Sequence, residues 1–357
     1  MSTMSLSTKI MFTAIVASAT TAYAQASVTG AGSSAAELLY TSMAAAYNKS
    51  SNVNLSYQSS SSTEGLQQVK SRKVDFGATD VALSADERKA NKLLCFPTAV
   101  SGIVPVINLP GVSNGQLKLT GELLAEIFSR KVNKWNDPKV QALNPGLTLP
   151  ALPITVVTRQ DGSGTTYNFT DYLSKSSPEW KTSYGSSYSV AWAAGTTPVK
   201  GSAGVVAALK QTAGAIAYVD FQYVTRNKLN FASLKNRDGK FVLPSGAGFT
   251  AAMNNSGWAS KGSYEEMLTD KPGAGSWPIT ASTFAIVPLV SSSPDNAVAA
   301  IKFFTWGFVH GDAAVGNTAF VRLPDNVQGR IFGELTTITD SAGKPLKWSL
   351  SDTMNLR

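Results

Sequence analysis

Short β-branched runs alternate with longer segments of helical period along almost the whole chain, and this alternation narrows the fold more than any other property of the sequence. "SVTGA" precedes "ELLYTSMAAAYNK", "VNLSYQS" precedes "GLQQVKSRK", "ITVVTRQ" precedes "TTYNFTDYLSK", and "STFAIVPLV" precedes "NAVAAIKFFTWGFV"; "KVDFGATD", "GIVPVINL" and "AIAYVDFQYV" read as further strand-like runs. Strands feeding helices in this way predict α/β layers rather than a sandwich or a bundle. The helical segments carry their own check: Ala297, Ile301, Phe304 and Phe308 recur at three- and four-residue spacing, as do Phe169, Tyr172 and Leu173, with Thr165 or Thr166 placed to cap the latter helix. Proline and glycine mark the joins, in "NLPG", "NPGLTLPALP" and "KPGAGSWP". There is no internal repeat, and the serine tract at 59 to 62 is too short to be a linker.

The first 24 residues stand outside this pattern. Lys9 precedes an apolar run too short to span a bilayer, and "AYA" at 22 to 24 has the small-x-small form of a signal-peptidase site, so cleavage before Gln25 and export are expected. No cysteine lies near that site to carry a lipid anchor, and no later stretch is apolar for long enough to cross a membrane. The rest of the 357-residue chain is long enough for two lobes. With Cys95 as its only cysteine no intramolecular disulfide can form, and Cys95 reads as a small buried apolar residue. The formal charge of +8 drops by one when Lys9 leaves, and the basic residues are scattered rather than gathered into a stripe. A diffuse positive field of this kind suits small anions better than nucleic acid.

Three strand-to-helix junctions share one chemistry: "TGAGSSA" at 29 to 35, "SSSSTEG" at 59 to 65 and "RQDGSGTT" at 159 to 166. The first turn of a helix has unpaired amide hydrogens and the positive end of the macrodipole; glycines let an oxyanion approach that backbone, and hydroxyls add donors. A single such loop is more often a simple helix cap. Three of them in an exported basic chain point to an anion site, which in facing α/β lobes belongs at the carboxyl ends of the strands.

Arg159 offers a permanently charged fork for two oxygens of a tetrahedral anion, and Asp161 is placed to orient it; the plain alternative is a surface ion pair. Asp80, at the end of "VDFGATD", repels an anion unless that anion brings a proton to donate. Hydrogen phosphate does so at neutral pH and sulfate does not, so an acceptor-only group selects the former. The plain alternative for Asp80 is the N-cap of a helix in "VALSADERKA".

Other chemistries fit poorly. The only histidine, His310, closes an apolar helical segment and gives a serine nucleophile no base. One His and one Cys cannot build the usual nitrogen and sulfur metal sites, although carboxylate-bound calcium stays open. "GAG" at 30 to 32 lacks the dinucleotide fingerprint, and Trp135, Trp277 and Trp306 sit among apolar neighbours as core residues do.

The order of "TGAGSS", "YQSSSSTEG", "VDFGATD", "FPTAVSGIVPVINLPG", "KWND", "NPGLTLP", "TRQDGSGTT", "GAIAYVD", "WPITASTFAIV" and "FFTWGF" resembles the periplasmic phosphate-binding proteins of bacterial ABC-type phosphate uptake systems, over nearly all of the mature chain. The resemblance implies a two-lobed α/β periplasmic-binding-protein fold with a hinge of crossing strands. One lobe would comprise residues 25–107 and 282–357, and the other residues 108–281. It implies a periplasmic, monomeric, non-enzymatic protein without cofactor or metal, which binds inorganic phosphate and delivers it to the membrane subunits of an ABC permease. Carried over by position, the ligand set is Ser34 with the backbone of Ala35, Ser62, Asp80 as proton acceptor, Arg159 held by Asp161, and Ser163, Gly164 and Thr165. Two departures bear on affinity: Ala35 and Ala36 stand where an aromatic followed by proline is common, and Glu64 where glycine is usual. Arsenate, protonated like phosphate, and an exported sensor or surface adhesin are the alternative readings.

Overall fold

Eight strands carry the architecture: β1 (Ala26–Ser33), β2 (Val53–Ser60), β3 (Phe76–Thr79), β4 (Leu93–Asn108), β5 (Thr155–Arg159), β6 (Thr197–Val199), β7 (Ala215–Asp220) and β8 (Thr280–Pro288). They are seen in a computed structural model that describes residues 26–262, 264–316 and 318–356, so the segment expected to be a signal peptide lies outside the described residues. The strands form one continuous curled sheet in the order β2-β1-β3-β8-β4-β7-β5-β6, with the two-residue strand Asn230–Phe231 on β4. This is the α/β, two-lobed fold with crossing strands that the alternating pattern and the resemblance led to expect.

The crossing is the work of β4. Its first part, Leu93–Gly102, runs antiparallel to β8, and its second part, Ile103–Asn108, runs antiparallel to β7. One strand thus belongs to both halves of the sheet, and nearly all of its residues are buried, as a strand covered on both faces must be. β1 lies parallel between β2 and β3, with Gly32 level with both Ser59 and Ala78. On the other side β5 is parallel to β6 and β7.

Helices cover the faces: α1 (Glu37–Ser50), α2 (Ser62–Lys70), α3 (Gly164–Ser176), α4 (Gly201–Gln211), α5 (Phe221–Asn227) and α6 (Pro294–His310). In α6 the expected face holds, with Ile301, Phe304 and Phe308 buried and Ala297 at its half-buried start. Phe304 meets Tyr40, Phe76 and Phe96 edge-on at centroid distances of 6.2, 5.1 and 5.2 Å, which is the core of the first half. In the second half Phe169 of α3 stacks on Tyr218 of β7 at 4.3 Å. Trp135, Trp277 and Trp306 are all buried, as is Cys95, whose thiol burial pushes up to about 12. His310 ends α6 with its Nε2 at 3.2 Å from the Thr353 carbonyl. No helix among the described residues is long and apolar enough to cross a membrane.

Two expectations are corrected. The run "AIAYVDFQYV" is not one strand: β7 stops at Asp220, whose carboxylate accepts from the Gln222 amide at 3.0 Å and caps α5, a shift from strand to helix that the β-rich composition of "FQYV" conceals. The cap of α3 is Ser163, which accepts from the Thr166 amide at 3.2 Å, rather than Thr165 or Thr166, both of which lie inside the helix and are buried.

Candidate functional site

Parallel register brings the carboxyl ends of β1, β2 and β3 to one level, so the residues just past them, Ser33–Ser34, Ser61–Ser62 and Asp80, gather at one edge of the sheet. The carboxyl ends of β5 and β6 supply the facing edge, with Arg159, Asp161, Ser163 and Ser202. Close approach depends on two glycines. Gly32 has φ +144 and a side chain there would lie 2.2 Å from the Ala78 carbonyl oxygen. At Gly164 a Cβ would meet the Ser62 hydroxyl at 2.6 Å and the Asp80 Cβ at 2.8 Å, so only glycine lets the third loop come this near the second.

The two edges touch through polar side chains. The Gly164 amide donates to the Ser62 hydroxyl at 3.1 Å, and the Asn168 side chain of α3 donates to the Asp80 carbonyl at 2.7 Å. Arg159 Nη1 lies 3.4 Å from the Ser34 hydroxyl and 3.2 Å from that of Ser202, and these two hydroxyls are 2.9 Å apart. All eight ligand positions expected from the sequence, Ser34, Ala35, Ser62, Asp80, Arg159, Ser163, Gly164 and Thr165, are buried at this meeting of the edges.

Asp161 grips Arg159 with both carboxylate oxygens: Nε donates to one at 2.7 Å and Nη2 to the other. The Arg159 side chain is only 2% exposed, so this is a buried, bidentate pair and not the surface ion pair that was the alternative. Burial acts to raise the Asp161 pKa, yet the bonds and charge of Arg159 and the Gly201 amide at 3.0 Å outweigh it and hold the carboxyl below its ordinary range.

Asp80 is placed differently. It is not a helix cap, because Ser84 caps the helix Ala85–Asn91. One oxygen accepts from the Ser33 hydroxyl at 2.6 Å and, more loosely, from Ser62 at 3.5 Å, while the other, Oδ1, is buried with no hydrogen-bond partner among the described residues. Burial pushes its pKa up to about 6, against the opposing effects of the Ser33 bond, the Arg159 charge and the Ser62 and Thr165 hydroxyls. At pH 7 it is still mainly ionised, an acceptor with one oxygen unspent. It borders a small pocket of about 10 Å³, room for about one water, with Ala35, Thr165, Ser101 and Asp220.

Both departures can now be placed. Ala35 and Ala36 are buried; the Ala35 amide donates to the Ser33 hydroxyl at 3.1 Å and its carbonyl accepts from the Gln222 side chain. Glu64 is exposed in the first turn of α2 and points outward, its carboxylate 3.5 Å from the Gln68 side chain. Several residues of the cleft escaped the sequence reading. Ser33 is the one that bonds Asp80, and the serine doublet gave no reason to choose it over Ser34. Ser202 opens α4 in "VKGSAG", a fourth strand-to-helix junction of the same small-residue type, which the pattern of the other three could have found. Gln222 and Tyr223, which hold the Ser34 carbonyl at 3.4 and 3.0 Å, were hidden with Asp220 in the misread run.

Comparison with known proteins agrees with this geometry. A PBP superfamily domain matches residues 17–308. The phosphate-binding protein PstS of Haemophilus influenzae is 42% identical over 316 residues, covering 88% of this chain and 94% of that protein. The phosphate-binding protein PstS of Pasteurella multocida is 41% identical, covering 89% and 93%. Among solved structures, a high affinity periplasmic phosphate-binding protein bound with phosphate superposes with a TM-score of 0.69 at 20% identity, over 92% of this chain and 98% of that one, a likeness of fold. Extended identity to the PstS proteins, on a sheet with this crossing and these converging loops, shows that the chain belongs to the PBP superfamily and, within it, to the PstS phosphate-binding protein family.

Proposed function

We propose that the cleft binds inorganic phosphate in its hydrogen phosphate form in the periplasm and delivers it to the membrane subunits of an ABC-type permease. The protein does this as a monomer and without chemistry on the ligand. The observation that carries this reading is the Asp80 Oδ1, a buried acceptor without a partner among the described residues, facing a cleft rich in hydroxyl and amide donors. Such an atom costs about 1–3 kcal/mol when it faces another acceptor and nothing when it receives a proton. Sulfate presents only acceptors to it, whereas hydrogen phosphate and hydrogen arsenate present an O–H.

The remaining oxygens of the ligand would be received by the Ser34, Ser62, Ser163 and Thr165 hydroxyls, the Ala35 and Gly164 amides and Arg159. Several of these donors bond each other across the cleft, as in the Gly164–Ser62 contact of 3.1 Å and the Arg159–Ser202 contact of 3.2 Å. Phosphate binding exchanges these bonds for shorter, charge-assisted ones. A tetrahedral anion is larger than the 10 Å³ pocket, so the loops must part to admit it. We place the hinge on β4 at Gly102–Ile103, where pairing passes from β8 to β7, and at Thr280, the β8 residue paired with Gly102.

Titration calorimetry on protein unfolded, freed of ligand by dialysis and refolded tests this. Saturable one-to-one binding of phosphate at pH 7, competition by arsenate and no competition by sulfate at the same concentration are expected. Absence of heat with phosphate, or equal competition by sulfate, would remove the uptake reading and leave an exported sensor or adhesin built on the same fold.

A further inference from the structure

Asp80 is not the only carboxyl group on its pocket. Asp220, 3% exposed at the end of β7, lines the same space of about 10 Å³ together with Ser101, Ser282 and Thr283. One Asp220 oxygen is committed to the Gln222 amide at 3.0 Å, and its backbone is paired with Ile103 at the point where β4 passes between the halves of the sheet. The Asp80 Oδ1 on this pocket has no hydrogen-bond partner among the described residues, and the Ser101 hydroxyl acts on Asp220.

The charges around Asp220 are unfavourable to a second anion. β4 and β8 contribute Ser101, Ile103, Ala281, Ser282 and Thr283 to the pocket, none of them charged. Asp80 faces it with a like charge. On its own helix Tyr223 is kept as a neutral phenol by burial and is bonded to the Glu37 carboxylate at 3.2 Å. Arg159, whose charge acts on Asp80, is gripped by Asp161.

We propose that Asp220 is a specificity-determining residue of the phosphate site: across the shared pocket Asp80 and Asp220 hold one negative charge between them, kept on Asp80 by Ser33 and Arg159, while Asp220 carries a proton. Two carboxyl groups on one buried pocket cannot both ionise cheaply, and unequal surroundings decide which one does. The titration directions agree. Burial, opposed by the Gln222 amide and the Ser101 hydroxyl and reinforced by the Asp80 charge, pushes Asp220 up to about 8, above the value of about 6 for Asp80. Below that point Asp80 is the ionised acceptor that the ligand's proton requires. Above it Asp220 gives its proton to solvent and a second buried charge enters the pocket, which repels the phosphate dianion.

The inference rests on the phosphate reading, so its test has one arm with ligand and one without. Asp220→Asn keeps a capping side chain and its acceptor oxygen but cannot ionise. With ligand, the ratio of phosphate Kd at pH 9 to that at pH 7, corrected for the dianion fraction, is expected to be about tenfold in the parent, one pH unit above the Asp220 value. In Asp220→Asn it should be near one. Without ligand, the folded-state value lies above the unfolded value of about 3.9, so the proton on Asp220 stabilises the fold fully at acid pH and this contribution is lost as pH rises toward 8. Between pH 6.5 and 8, beyond most of the Asp80 titration, the parent's urea midpoint is expected to fall and that of Asp220→Asn to stay level. Asp220→Ser, also a capping residue, should behave as Asp220→Asn does. Parallel urea curves for parent and variants overturn the proposal whatever the ligand is. Parallel Kd ratios with divergent urea curves leave the proton on Asp220 but overturn its part in specificity. Loss of phosphate binding in the parent itself overturns the phosphate reading, with the urea arm still deciding where the proton sits.

Discussion

Asp80, buried, and Asp161, half-buried, are carboxylates of the same cleft, and their pKa values move in opposite directions. Asp161 has both oxygens on a guanidinium and takes the Gly201 amide as well, so its charge is fully answered. Asp80 has one oxygen on a serine and the other on nothing among the described residues. One edge of the cleft is therefore a completed ion pair that presents a fixed positive fork, and the other is an acceptor that only a proton-bearing partner can complete. On the proposed reading charge attraction and ligand choice are divided between the two edges, and that division can be broken by mutation one side at a time.

The largest effect is expected on the cationic edge. Arg159→Ala removes the only guanidinium of the cleft among the described residues and leaves the half-buried Asp161 with no cation, a change that costs up to about 3–5 kcal/mol in fully buried pairs and less here. Phosphate affinity by calorimetry should fall roughly 30-fold or more, corresponding to a loss of at least about 2 kcal/mol for a charge-assisted contact. The double variant Arg159→Ala/Asp161→Ala removes the stranded carboxylate and should recover stability without recovering affinity. If either protein binds phosphate as the parent does, the charge clamp has no part in binding.

On the opposite edge the change should appear in selectivity. Asp80→Asn replaces the unspent acceptor with an amide that can donate, so sulfate loses its penalty and phosphate loses the acceptor for its proton. The phosphate-to-sulfate preference should shrink by about 1–3 kcal/mol, or roughly 5- to 150-fold. Stability moves the other way. The folded-state value of about 6 lies above the unfolded value, so the stability that Asp80 contributes in acid is lost as pH rises from about 4 through 6. Ligand-free Asp80→Asn, which has no charge to bury, should then unfold at a higher urea concentration than the parent at pH 7.5. A variant that discriminates as sharply as the parent would show that the acceptor role belongs elsewhere.

The two edges were not equally legible in the sequence. The cationic one was readable because its parts are neighbours: an arginine, an aspartate two residues on, and a glycine-hydroxyl turn into a helix with a strong period. The burial of the pair was not, since local sequence does not reveal that β6 and α4 close over it. The acidic edge depends on register. Asp80 could be placed at a strand end from "VDFGATD", but whether it capped a helix was undecided until Ser84 took that role. The choice between Ser33 and Ser34 turns on one residue of register between β1 and β3, which no pattern of alternating runs resolves. Asp220 was lost because residues of strand propensity, "FQYV", are held in a helix by tertiary contacts and a cap.

The smallest expected effect tests whether that division is set by distance. Glu64 sits in the first turn of α2, two residues from Ser62, yet it is exposed and leans toward Gln68. In water-like surroundings a unit charge contributes little at such a position, and at physiological salt it is screened over about 8 Å. Glu64→Gln should therefore tighten phosphate binding by no more than about twofold at low ionic strength, and the gain should vanish in about 0.15 M salt. Its favourable placement at a helix N-terminus makes a loss of stability of about 0.3–1 kcal/mol the companion effect. A tightening of tenfold or more that survives salt would mean that Glu64 turns inward beside Asp80. The acidic edge would then hold two ionised groups instead of one, and ligand choice could no longer be assigned to Asp80 alone.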